Sequence, residues 1–140
     1  MAVAAVTAVL SIDVGLAWER LGDFGGWHAW NARITSTELT GGSGRGPVGA
    51  VRHLVLSDGG TVAERLERYD DADRSLGYSF VGDVPFPVRD YLGQARLRPV
   101  TAGGTFVEWW GTFDADAADE PVLRTAFSGL YTAFIAALGC

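Results

Sequence analysis

The stretch that decides the fold is the last one, 120-EPVLRTAFSGLYTAFIAALG-139. Leu123, Phe127, Leu130, Tyr131, Phe134 and Leu138 recur at three- and four-residue spacing, so on an α-helix they fall on one stripe. Thr125, Ser128, Thr132 and Ala136 fall on the opposite side. Pro121 suits the first helical position, Glu120 suits the positive helix end, and Gly139 ends the run. A single long amphipathic helix must bury its stripe against another layer, and nearly everything upstream of it reads as β.

Working back along the chain, Thr105 to Ala115 and Tyr91 to Arg98 form a strand pair around Thr101-Ala102-Gly103-Gly104. Asp83-Val84-Pro85-Phe86-Pro87 interrupts the pattern, since two prolines remove ladder donors, and Leu76 to Val81 precedes it as a strand. Val62 to Tyr69 and Val51 to Leu56 flank Ser57-Asp58-Gly59-Gly60, a hairpin signature. The segment from Gly41 to Gly49, with five glycines and a proline, has to be a loop. Ile34 to Leu39 reads as a strand, Trp27 to Asn31 as a helical turn, and Asp13 caps a short helix that runs to about Leu21. Val3 to Ile12 is the first strand. The order predicts an α+β fold: a curved antiparallel sheet of about seven strands wrapped around the long C-terminal helix, with two short helices after the first strand.

At 140 residues the chain is expected to form one domain, 1–140, because cores divide only above roughly 250 residues. A hydrophobic content of 48% against 20% charged residues excludes a disordered chain. Every one of the 11 cationic residues is arginine, and 17 acidic residues leave a net charge of −6. That balance argues against nucleic acid and anionic lipid as partners. No apolar run approaches the ~20 residues needed to span a bilayer, so membrane insertion is not expected. The opening MAVAAVTAVL lacks a cationic start and meets Asp13 where a cleavage site would need small residues, so it reads as a strand rather than a leader. Cys140 is the only cysteine; it precludes an internal disulfide, fits a reducing, cytoplasmic setting, and reads as an incidental thiol.

The chain resembles the SRPBCC superfamily, the START-like or helix-grip fold, and within it the bacterial branch of polyketide cyclase/dehydrase and lipid-transport proteins. The resemblance is carried by Trp27-His28-Ala29-Trp30-Asn31 with Ile34, Gly49-Ala50-Val51-Arg52, Glu64-Arg65-Leu66 and the Tyr78 strand. It continues through Pro85-Phe86-Pro87-Val88 with Tyr91 and through Val107-Glu108-Trp109-Trp110-Gly111-Thr112-Phe113. It covers nearly the whole chain and implies a deep cavity between sheet and helix for a hydrophobic or aromatic small molecule, with no cofactor required. Sixteen aromatic residues agree with a large apolar lining. Cyclases, carriers, receptors and resistance proteins share this fold, so it does not fix the chemistry.

Strand alternation sorts the candidate lining. Val107, Trp109, Gly111 and Phe113 share one face of the last strand, and Tyr91, Gly93, Ala95 and Leu97 one face of its neighbour; both sets are expected inward, their small residues leaving room for a ligand. Across the Ser57–Gly60 hairpin, Leu54 and Leu66 set the inward face, which brings Arg52, Leu56, Val62 and Glu64 with them. An arginine and a glutamate among apolar groups must pair with each other or hold something polar. The resulting expectation is Glu64 as acid or base, Arg52 as electrostatic anchor, and Tyr78 and Tyr91 as donors. A buried structural ion pair, or a parity slip that leaves both in water, is the alternative for the charged two. His28, between Trp27 and Trp30, is a candidate acid–base group at the cavity mouth. Trp30, Leu54, Leu66, Phe80, Trp109, Phe113, Phe127, Leu130, Tyr131 and Phe134 are expected to line the ligand site. His53 has outward parity. Outward Trp110 could mark a dimer surface, and monomer or homodimer both stay open.

Other chemistries fail on inspection. Gly44-Arg45-Gly46-Pro47-Val48-Gly49 matches G-x-G-x-x-G, but a β run follows it where a phosphate site needs a helix start. Without lysine there is no P-loop and no Schiff base, two distant histidines make no zinc site, and no G-x-S-x-G is present. The expected function is a cofactor-independent cyclase or aromatase-like enzyme on a hydrophobic polyketide or related natural-product intermediate. A non-catalytic carrier or sequestering protein is the second reading, and an interaction or stress protein with a collapsed interior the third.

Overall fold

A computed structural model describes residues 1–140. The strands are β1 (Ala2–Leu10), β2 (Ile34–Thr40), β3 (Val51–Leu56), β4 (Thr61–Asp70), β5 (Ser75–Val81), β6 (Arg89–Pro99) and β7 (Thr105–Asp114). The helices are α1 (Val14–Leu21) and α2 (Glu120–Leu138), with a 3₁₀ turn at Trp27–Ala29. One antiparallel sheet runs β1-β7-β6-β5-β4-β3-β2, so each strand after β2 lies beside its predecessor and β1 closes onto β7. This is the expected α+β helix-grip arrangement.

Local chemistry accounts for the element ends. The Asp13 carboxylate accepts the Gly15 N–H at 2.8 Å and caps α1. That cap ends β1 at Leu10, two residues before the expected Ile12, because Ser11 and Ile12 bend the chain into it. Register shifts between Ile34 and Ser36, Leu66 and Arg68, and Arg89 and Leu92 put an irregularity in β2, β4 and β6. Such bulges bend a strand, which curls the sheet around α2.

The core lies in that curl. Leu123, Phe127, Tyr131, Ile135 and Leu138 of α2 are buried against it, while Leu130 and Phe134 are half-buried on the flank of the same stripe. By length and composition alone α2, at 19 residues, would suffice to cross a bilayer, which corrects the expectation that no run comes close. Here its apolar side is spent on the sheet. The inward sets of β6 and β7 alternate with half-buried outward residues as parity predicts. Trp110 is half-buried rather than exposed, with the Arg96 guanidinium carbon 5.9 Å from its ring centroid.

One irregularity positions the site. β5 and β6 pair only from Ser75–Arg96 to Tyr78–Gly93. Beyond Tyr78 the ladder ends, and the Pro-rich segment 82–88 folds across with Phe86 packed on Phe80 and, at 4.8 Å between ring centroids, on Phe127 of α2.

Candidate functional site

α2 packs on β1 and β7, leaving the inner face of β2–β5 partly uncovered. A chamber of about 290 Å³ lies there. Its walls are Leu54 and Leu56 of β3, Val62 of β4, Phe80 of β5, and Leu130 and Phe134 of α2, closed by Trp27 on one side and Pro85 and Phe86 on another. The volume is at the small end of the ~300–1,000 Å³ typical of ligand sites. A wider furrow of about 610 Å³ runs past His53, Glu38 and Asp83; it shares Leu54 and Val62 with the chamber but none of the chamber's polar residues.

Two of those polar groups are Arg52 and Glu64, directly opposite each other on β3 and β4. Arg52 is 1% exposed and Glu64 7%. Arg52 Nε and Nη2 donate to Glu64 Oε1 at 2.9 and 2.7 Å, and Nη1 donates to the Phe24 carbonyl at 3.0 Å. The guanidinium is held between two rings, its central carbon 3.8 Å from the centroids of both Phe24 and Trp27. Such stacking contributes up to about 2 kcal/mol where water is excluded. Glu64 Oε2 accepts no hydrogen bond from the protein and borders the chamber. The pair is therefore asymmetric: the arginine is committed on three nitrogens and both faces, whereas the carboxylate keeps one oxygen free.

Tyrosines form the adjoining wall. Tyr78 Oη accepts the Trp109 indole N–H at 3.1 Å, which leaves its own proton to donate. The Tyr91 and Tyr131 hydroxyls share a short hydrogen bond. Burial pushes all three phenols well above the ordinary tyrosine range, and the nearby Glu64 charge pushes Tyr78 further. These groups are held neutral and serve as hydrogen-bond donors, not as sources of phenolate.

The space left by Gly93 and Gly111 is filled by side chains. A Cβ on Gly93 would lie 2.6 Å from Tyr78 Cζ, and one on Gly111 would collide with the Tyr131 hydroxyl. The glycines make room for tyrosine rings, which corrects the expectation that they open space for a ligand. The same packing places Leu66, Trp109, Phe113, Phe127 and Tyr131 in solid core outside the chamber wall. Of the expected lining, Leu54, Phe80, Leu130 and Phe134 border the chamber, as do Arg52, Glu64, Tyr78 and Tyr91.

The Trp27–Asn31 turn is read differently by the structure. In a 3₁₀ turn residues three apart eclipse, and the Trp27 and Trp30 rings lie 5.5 Å apart, but it is Trp27 that reaches the chamber. Trp30 stays half-buried behind it, its indole N–H on the Arg20 carbonyl at 3.2 Å. His28 is exposed and does not border the chamber; its Nδ1 lies 3.2 Å from Thr37 Oγ1. Sequence reasoning missed Phe24, Trp27 and Phe86. Phe86 carried a usable signal, an aromatic between two prolines in a loop that would otherwise expose it; Phe24, in a glycine-flanked turn, carried none.

A curved sheet gripping a C-terminal helix over an apolar chamber with one buried ion pair defines a helix-grip protein. The chain belongs to the family described as polyketide cyclase / dehydrase and lipid transport, an SRPBCC-type family whose model it matches over residues 1–140. Similar solved structures include the protein XoxI from Bacillus cereus, 33% identical with a TM-score of 0.86, covering 99% of this chain and 94% of that one. An uncharacterized protein from Bacillus thuringiensis is 32% identical with a TM-score of 0.86, covering 99% and 96%. A Thermobifida fusca protein solved by NMR is 25% identical with a TM-score of 0.87, covering 99% and 91%. No curated protein matches the chain.

Proposed function

We propose that this protein is a cyclase/dehydratase-type enzyme that enolises a compact, largely apolar carbonyl compound in the chamber, with Glu64 as the base. The observation that carries the reading is the free Oε2 of Glu64, a carboxylate oxygen kept unpaired in an apolar site while Oε1 is fixed by Arg52. Oε2 is not sealed into the core: it is accessible on the chamber side, where a ligand's donor or acidic proton can reach it.

In the proposed step Oε2 takes the proton from the carbon next to the substrate carbonyl. The carbon–hydrogen pair becomes the enolate double bond, and Tyr78 Oη donates to the oxygen where charge develops. Ring closure onto a second carbonyl, with Glu64 returning its proton to the new alkoxide, or loss of a β-hydroxyl as water, with Glu64 returning its proton to the departing oxygen, completes the cycle without a cofactor. Arg52 acts through Glu64, fixing its aim; its committed nitrogens favour that role over direct anchoring of substrate. A volume of about 290 Å³ supports a one- or two-ring natural-product intermediate rather than a long chain.

2-Tetralone, a bicyclic enolisable ketone, tests the reading. In deuterated buffer the wild type is expected to accelerate loss of the C1 proton signal by NMR, and Glu64→Gln to abolish the acceleration while retaining binding. Binding with exchange no faster than in buffer would overturn the enzyme reading in favour of a carrier.

A further inference from the structure

Eight of the 11 arginines have a side-chain partner in the protein. Arg33, Arg68 and Arg74 have none, and of these only Arg33 borders the chamber. Its backbone is pinned on both sides, the N–H to Asn31 Oδ1 at 3.1 Å and the carbonyl accepting the Ser57 N–H at 2.9 Å. The placement at the mouth is therefore fixed while the guanidinium is free. Asp58, also at the mouth, spends Oδ1 on the Gly60 N–H at 2.8 Å within its turn and forms no ion pair with Arg33.

Arg52 opposes Glu64, and Leu56, four residues further along β3, opposes Ile34, the neighbour of Arg33. Four residues of strand span about 13 Å. The chamber thus has a hydrogen-bond acceptor, Glu64 Oε2, at its inner end, apolar walls between, and an unpaired cation at its mouth. In a protein of net charge −6 such a cation is a selective feature. A planar guanidinium with all its N–H groups free matches a carboxylate bidentately.

We propose that the ligand is a small amphipathic acid: a one- or two-ring apolar body with a carboxylate held by Arg33 at the mouth and a hydroxyl or enolisable carbonyl directed at Glu64. This rests on the chamber being the binding site and adds the substrate class and the residue that selects it.

Rigid naphthalenes test it: 6-hydroxy-2-naphthoic acid carries both groups, and 2-naphthol lacks the carboxylate. By fluorescence titration the wild type is expected to bind the acid about tenfold tighter than the naphthol, with only the acid's affinity falling as salt rises. Arg33→Gln, on an exposed side chain, should erase the tenfold preference and leave 2-naphthol unchanged. Asp58→Asn should tighten the acid a few-fold by removing a like charge from the mouth. Equal binding of the two probes to the wild type, or a preference that survives Arg33→Gln, overturns the proposal and leaves the chamber reading standing. Binding of neither probe overturns both.

Discussion

Both hydrogen bonds that Arg52 gives Glu64 converge on one oxygen, Oε1, and the other carboxylate oxygen is left to the chamber. A purely structural pair would be expected to satisfy both oxygens. Breaking the pair from the arginine side isolates a buried carboxylate, so Arg52→Met is expected to cost about 3–5 kcal/mol in urea unfolding. Replacing both, Arg52→Met with Glu64→Leu, should recover most of that loss while tetralone exchange stays at the buffer rate. Recovery of exchange in the double variant would remove the pair from the chemistry.

Gly111 and Tyr131 set a second expectation. Gly111→Ala drives a methyl into the Tyr131 hydroxyl and should destabilise by about 1–3 kcal/mol, a drop of several degrees in Tm. Because the hydroxyl is the nearest colliding atom, adding Tyr131→Phe should return part of that loss. A double-mutant cycle with no coupling would show that the strand shifts instead.

The tyrosine cluster makes a prediction about alkaline pH. Tyr78, Tyr91 and Tyr131 have folded-state values raised above the ordinary 10, chiefly by burial. Above pH 10 the unfolded chain therefore releases protons that the folded chain keeps. Their contribution is fully present below pH 10 and is lost as pH climbs past it, by up to about 1.4 kcal/mol per pH unit for each tyrosine. Tyrosinate absorbance from these three should appear together with loss of the circular-dichroism signal; smooth ionisation of all three in a folded protein would contradict their burial.

Phe86 closes one wall from a loop, packed on Phe80 and Phe127. Phe86→Ala is expected to speed release of bound 2-naphthol in stopped-flow fluorescence by about tenfold or more, with a stability cost of about 1 kcal/mol because the ring is only half-buried. An unchanged release rate would mean that the ligand leaves elsewhere.

The helix stripe, the succession of seven strands and the inward side of β3, β4, β6 and β7 could be read before any coordinates. They follow from periodicities of 3.6 and 2, and a one-residue slip would have turned Leu54 and Leu66 outward together with Arg52 and Glu64. What periodicity could not supply was depth. Leu66, Trp109 and Phe113 have the same parity as Leu54 and Phe80, yet only the latter pair meets open space, because that depends on where the β5–β6 ladder stops. His28 and Trp30 were misplaced for a related reason: in one turn of 3₁₀ helix there is too little repeat to fix a face, and the ring that turned inward was that of Trp27.

The two glycines beneath the tyrosine rings have an evolutionary consequence. With Gly93 and Gly111 in place, bulky phenols plug the far half of the interior and keep the accessible volume near its present size. A side chain at either position would have to evict its ring, and the vacated room would pass to the guest. The room inside the fold can thus be retuned from two backbone positions that do not line the chamber.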